Sequence, residues 1–190
     1  MKLTKRILFI IILIFSFQSW TKADDIRDFQ IEGMSVGDSL LDFYPKNRLK
    51  KDYFYNSKKW AAISLADSNF TTYEGFQAHV KSDDQKYKIG HIEGMIIYDK
   101  NIEDCYSKQK EIILELDVLF KGSKKTEQDK THSADHNSST KHIYYTLDSG
   151  DLINVTCYDW ADNNKNNFLD KLGVAIITEE FMEWINTEAY

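Results

Sequence analysis

His142-Ile143-Tyr144-Tyr145-Thr146-Leu147, then Asp148-Ser149-Gly150-Asp151, then Leu152-Ile153-Asn154-Val155-Thr156-Cys157-Tyr158 is the stretch on which the fold turns. Two runs rich in β-branched and aromatic residues flank a short Asp/Ser/Gly connection, the pattern of a β-hairpin. So short a connection joins only antiparallel strands, because parallel neighbours need a crossover of a dozen residues or more. The sheet is therefore expected to be mainly antiparallel.

Downstream, Asp159 to Lys171 is an Asn-rich connection and Val174 to Ile177 a short apolar strand. Thr178 is placed to cap a last helix whose buried side holds Phe181, Met182, Trp184 and Ile185. Upstream, residues 122–141 form a polar stretch with one alanine as its only apolar residue, expected to be a long loop. Before it, Asn101 to Phe120 reads as a helix. Ile102, Cys105, Ile112, Ile113, Leu116, Leu119 and Phe120 fall on one face, Glu103 and Asp104 suit the positive end, and Gly122 closes it. Tyr87 to Tyr98 and Phe76 to Val80 are extended runs joined through Ser82-Asp83-Asp84-Gln85, and Tyr53 to Ala66 is strand material broken at residues 56–59. The expected fold class is α+β: one domain over residues 24–190, a mainly antiparallel sheet with helices packed on one face.

Residues 1–23 read as a signal peptide. Lys2, Lys5 and Arg6 precede the apolar run Ile7 to Phe17, and Thr21-Lys22-Ala23 offers a cleavage site before Asp24. The apolar run is shorter than the roughly 17–25 residues of a spanning helix, so no stable membrane insertion is expected after cleavage. Cleavage removes Lys2, Lys5, Arg6 and Lys22 and no acid, taking the net charge from −6 by four to −10. So acidic a domain repels phosphate backbones, which argues against nucleic-acid binding. The expected location is periplasmic or secreted.

Cys105 lies on the apolar stripe of the long helix, and Cys157 shares a strand face with Ile153 and Val155. Both thiols point to one helix–sheet interface if that helix covers that sheet, and an exported chain is oxidised. A Cys105–Cys157 disulfide is expected, worth about 4 kcal/mol in the chain-entropy account; two buried free thiols are the alternative. The absence of a CxxC motif argues against thiol oxidoreductase chemistry.

Ile31-Glu32-Gly33-Met34-Ser35-Val36-Gly37-Asp38 carries two opposed readings. Gly33-x-Ser35-x-Gly37 spells a hydrolase nucleophile elbow, for which His79, His91 or His142 would have to serve as base. Ser35-x-x-Asp38 spells a helix cap, opening a helix over Val36, Leu40, Leu41 and Tyr44 that Pro45 ends. The elbow needs strands before it, and only the signal segment precedes this one, which favours the cap. Two further sets have metal-ligand spacing. His132 and His136 are four apart in the polar stretch. Asp162, Asn164 and Asn166 match positions 1, 3 and 5 of a calcium loop that has Asn167 in place of its glycine and Gly173 in place of its final glutamate. Neither set amounts to a site, and no metal or other cofactor is expected. Ile-Glu-Gly-Met occurs at residues 31–34 and again at 92–95; the flanking residues differ, and the repeat is read as coincidence.

The stretch from Ile31 to Leu41, with Val155-x-Cys157-x-Asp159-Trp160 and Glu180-Phe181-x-x-Trp184, resembles a group of small exported proteins of unknown function from marine alphaproteobacteria. That resemblance implies export and no catalytic residue. The Gly-Met-Ser opening is also similar to that of small outer-membrane assembly lipoproteins, over about a dozen residues and without their lipidated cysteine. Three functions follow as expectations. The first is a non-enzymatic domain that binds an envelope protein. The second is a small-molecule or glycan binder using Tyr53, Tyr55, Trp60, Tyr73 and Tyr87 as an aromatic sheet face. The third is a serine hydrolase using Ser35.

Overall fold

The computed structural model describes residues 26–132, 135–165 and 167–190. The expected signal peptide lies outside them. The chain forms an α+β domain around one seven-stranded antiparallel sheet. Its strands are β1 (Trp60–Leu65), β2 (Gly75–Lys81), β3 (Ile89–Asp99), β4 (Lys124–His132), β5 (Asp135–Thr146), β6 (Leu152–Asp159) and β7 (Asp170–Ile177). Their order is β1-β2-β3-β7-β6-β5-β4. Two three-stranded meanders, β1 to β3 and β4 to β6, are thus joined side by side by the last strand. Helix α1 (Ile102–Leu119) links the meanders, and α2 (Glu179–Thr187) follows β7.

The hairpin that decides the fold is present, with Ile143 paired to Val155 and Tyr145 to Ile153. α1 lies over β6, β7 and β3, burying Cys105, Gln109, Ile113 and Leu116. Cys105 and Cys157 are joined in a disulfide that ties α1 to β6. The buried Gln109 amide donates to the Lys141 and Val155 carbonyls, both at 2.9 Å, adding a polar tie at the same seam. Thr178 caps α2 as expected, its hydroxyl accepting from the Phe181 N–H at 3.2 Å.

Three expectations are corrected. First, the helices do not share a face. β7 alternates, so Leu172, Val174 and Ile176 join the core with α1, whereas Ala175 and Ile177 pack with Trp60, Phe181 and Trp184 under α2 on the opposite face. Second, the described residues of 122–141 are not a loop but mostly paired strand, β4 with β5, in register from Lys124↔Thr146 to Thr131↔Ser139. β4 is an edge strand exposed at nearly every position, so neither side needs apolar residues and the usual alternation is missing. Its lysines and acids also discourage edge-to-edge pairing with another chain. Third, Ser35 does not open a helix. Glu32, Gly33 and Gly37 have positive φ, and the helical turn that follows is a 3-10 turn, Leu40–Asp42, capped by Ser39. Asp38 does accept the Ser35 N–H, at 2.8 Å, but within a tight turn. Ile31, Met34, Val36 and Leu40 still reach the core, as an irregular segment over the first meander.

Candidate ligand groove

The site follows from the side-chain sizes along β7. Lys171-Leu172-Gly173-Val174-Ala175-Ile176-Ile177 puts Leu172, Val174 and Ile176 on the α1 face and, on the other, the small Gly173 and Ala175 between Lys171 and Ile177. Small residues at the centre of a sheet leave a hollow. Registers place its borders. Glu93 pairs with Ala175, which pairs with Asn154; Gly173 pairs with Thr156, which pairs with His142; Lys171 pairs with Tyr158, which pairs with Thr140. α2 forms one wall with Phe181, Met182 and Ile185, and Tyr55 and Tyr190 stand at the same end. Lys130 and His132 bound the other end from β4. The result is a half-open groove of about 540 Å³, within the usual range for small-molecule sites.

Glu93 is the most informative residue in it. The Glu93 side chain is 12 % exposed and reaches across Gly173, where any Cβ would fall on its carboxylate. Oε1 is buried and has no hydrogen-bond partner. Its nearest cation, the Lys171 ammonium, stands 3.9 Å away, too far for a hydrogen bond. Lys171 instead lies over the Tyr158 ring, 4.4 Å from its centroid, and 3.4 Å from the Met95 sulfur. A buried carboxylate oxygen without a donor carries a desolvation cost that a native fold seldom leaves uncompensated. Burial, then the Glu93 charge and a hydrogen bond to the Glu93 carboxylate, hold the Tyr158 hydroxyl well above the usual phenol range, so it stays protonated, and Oε1 is the carboxylate oxygen left without a donor.

The histidines in the groove are neutral. His79 and His91 face each other, Nδ1 to Nδ1, at 3.0 Å, so one ring donates and the other accepts. Burial pushes His91 down to about 3, with Lys171 adding to the effect. Burial, then His91, pushes His79 well below its ordinary value. The His79 Nε2 is buried without a partner. His91 stacks on Phe181 of α2, their centroids 4.9 Å apart. His142 is pushed down to about 4 by burial first and Lys130 second. The Thr156 hydroxyl donates to Asn154 Oδ1 at 3.0 Å, so it must accept from His142 Nδ1 at 2.8 Å. His142 Nε2 is then a lone-pair acceptor. The floor thus offers acceptors at Glu93 and His142 and an ammonium donor at Lys171, beside an apolar wall.

Most residues singled out in the sequence lie elsewhere. Ser35 is 2 % exposed, its hydroxyl has no hydrogen-bond partner, and it does not line the groove. The elbow therefore lacks a base bonded to its serine, and the cap is made by Ser39. His132 lines the groove and packs on Trp160 at 4.2 Å, while His136 is exposed. Asp162 pairs with Lys100 at 3.1 Å. Asn164 spends its amide on its own loop, bonding Ala161 and Phe168, and Asn166 lies outside the described residues. Among the described residues no three His, Cys, Asp or Glu side chains are placed to hold a metal ion. Of the proposed aromatic face, only Tyr55 reaches the groove. Trp60 is buried under α2, Tyr87 belongs to the core on the α1 side, Tyr73 lies flat on Gly94, and Tyr53 is exposed away from it.

Fold and groove together define a class: a disulfide-tied antiparallel sheet, covered by α1 on one face and grooved on the other around a half-buried charged pair. The chain matches no family model, no curated protein and no solved structure. Among the described residues no helix is long and apolar enough to cross a membrane.

Proposed function

We propose that this chain is an exported domain that binds a small polar molecule in the groove between α2 and the β4–β5 hairpin. The observation that carries the reading is the unpartnered Glu93 carboxylate oxygen, buried where the side chain lies across Gly173 in the lining of the groove. The disulfide supports a periplasmic or secreted location, since such bonds persist in oxidising compartments. The expectation of a small-molecule binder is kept and its aromatic sheet face is replaced by this mixed polar and apolar groove.

The test is a thermal-shift screen of the purified mature chain against neutral, anionic, cationic and zwitterionic metabolites. A hit that raises the melting temperature of the wild type but not of Glu93→Gln supports the reading. Hits indifferent to Glu93→Gln, or none in any class, contradict it. A second reading, docking of an envelope protein, has its own support in Leu114 and Val118, exposed one turn apart on the outer side of α1. It is tested by whether Leu114→Glu abolishes capture of a specific partner.

A further inference from the structure

The groove's charge pattern narrows the kind of molecule it takes, given that it is a ligand site at all. Glu93 and Lys171 bring one negative and one positive charge to the floor. They cancel, and a neutral guest loses least on entering such a site. A zwitterion could use both charges, but it would carry two strongly hydrated groups to a floor whose other polar groups, apart from the Lys130 ammonium at the β4 end, are neutral imidazoles, amides and hydroxyls.

The separation of the pair matters next. At 3.9 Å, Glu93 Oε1 and Lys171 Nζ are too distant to bond each other, yet one atom can sit at about 2.8 Å from both. That atom must donate to the carboxylate and accept from the ammonium. A hydroxyl oxygen does both; an amide nitrogen or an ammonium only donates, and a carboxylate oxygen only accepts. His142 Nε2, on the strand two along the sheet from β7, is a second acceptor for a second hydroxyl. The unpartnered His79 Nε2 is a further polar contact at the α2 end. Against these polar points stands the apolar wall of Phe181, Met182 and Ile185, suited to the C–H face of a ring.

We infer that the groove takes a neutral, hydroxyl-bearing ring, a sugar or cyclic polyol, with one hydroxyl held between the Glu93 carboxylate and the Lys171 ammonium. The inference rests on the small-ligand reading and names its chemistry. A volume of about 540 Å³ accommodates one or two such rings.

The test is isothermal titration of the mature, oxidised chain with methyl glycosides of the common hexoses, N-acetylglucosamine and myo-inositol. Glycine, betaine, acetate and putrescine serve as charged counterparts. At least one neutral polyol is expected to bind, and its affinity is expected to fall tenfold or more in Glu93→Gln and in Lys171→Met, because each leaves a hydroxyl with one buried partner missing. Lys171→Met keeps the stem that lies over Tyr158, and both variants are checked for a native melting transition. Should one variant fail to fold, deoxy analogues of the bound sugar give the same information on the wild type: removal of one particular hydroxyl must cost tenfold. Binding of a charged compound and of no polyol overturns the sugar inference while leaving a ligand groove. Binding of nothing in either panel overturns both. Polyol binding that survives Glu93→Gln, Lys171→Met and every deoxy substitution also overturns the inference, because the hydroxyl then does not sit between the pair.

Discussion

Acidification from about pH 8 to about pH 5 is expected to weaken the fold through the paired histidines under α2. His91 is pushed down to about 3 and His79 well below its ordinary value, both chiefly by burial. In the unfolded chain both titrate near 6.5. The folded state therefore binds fewer protons than the unfolded state below pH 6.5, and stability falls as pH falls. The full contribution is present above about 6.5 and is lost progressively down towards the folded values. At pH 5 an unfolded histidine gains about 2 kcal/mol from protonation that a neutral His91 forgoes, and His79 adds to this in the same direction. That is a large share of the 5–15 kcal/mol of a typical domain. The window lies above the range of the carboxylates held low by partners, such as Asp67 beside Arg48 and Asp117 beside Tyr145, so the histidines dominate it. The assay is urea unfolding at both pH values, followed by tryptophan fluorescence, since Trp60 and Trp184 pack in the same cluster. The double variant His79→Gln, His91→Gln is expected to lose at least about 2 kcal/mol less than the wild type between the two pH values. Equal wild-type stability at both pH values refutes the reasoning, as does a double variant that falls as steeply as the wild type.

Three other predictions concern separate parts of the fold. Replacing Cys105 and Cys157 by serine, or reducing their bond across a separation of 52 residues, is expected to cost about 4 kcal/mol in the chain-entropy account; the shift of the urea midpoint measures it. Gly173→Ala sets a methyl against the Glu93 carboxylate and is expected to destabilise by about 1–3 kcal/mol while abolishing ligand binding. Calorimetric melting and titration read the two effects separately. Ser35→Ala removes a buried hydroxyl that has no partner, so stability is expected to be unchanged or to rise by about 1 kcal/mol. Neither form is expected to react with a fluorophosphonate probe, and labelling of the wild type lost in the variant would restore the hydrolase reading.

What was legible in the sequence had strong periodicity behind it. α1, α2 and the β5–β6 hairpin each carry a pattern that only one kind of element satisfies, and the cysteines fell on facing sides of two of them. β4 was not legible because a strand wet on both faces has no reason to alternate; its pairing with β5 is set by backbone hydrogen bonds rather than by burial. The segment around Ser35 misled for the opposite reason. Val36 and Leu40 have helical spacing and are buried, but the positive φ at Gly33 and Gly37 bends the chain into turns. The Ile-Glu-Gly-Met repeat illustrates the same limit. Its first copy makes a tight turn in which Glu32 accepts the backbone N–H groups of Thr71, Thr72 and Tyr73, and its second lies extended in β3.

The groove did leave a signal. Glu93 interrupts an apolar strand that turns out to be interior to the sheet, and β7 carries small residues, Gly173 and Ala175, at the middle of its face away from α1. A lone acid in a short run reads as an edge or a turn, however. Only the register that sets Glu93 opposite Ala175, with its carboxylate leaning over Gly173 toward Lys171, turns it into part of a site.

The central claim is that the face opposite α1 holds a small ligand against Glu93 and Lys171. It is tested most directly by methyl NMR on the mature chain during titration with the strongest hit of the thermal-shift screen. Saturable shifts at Ile177, Met182 and Ile185, with Ile113, Leu116 and Val174 under α1 unmoved, are the predicted result. Shifts confined to the α1 face, or saturable binding that leaves Ile177, Met182 and Ile185 unmoved, would contradict it.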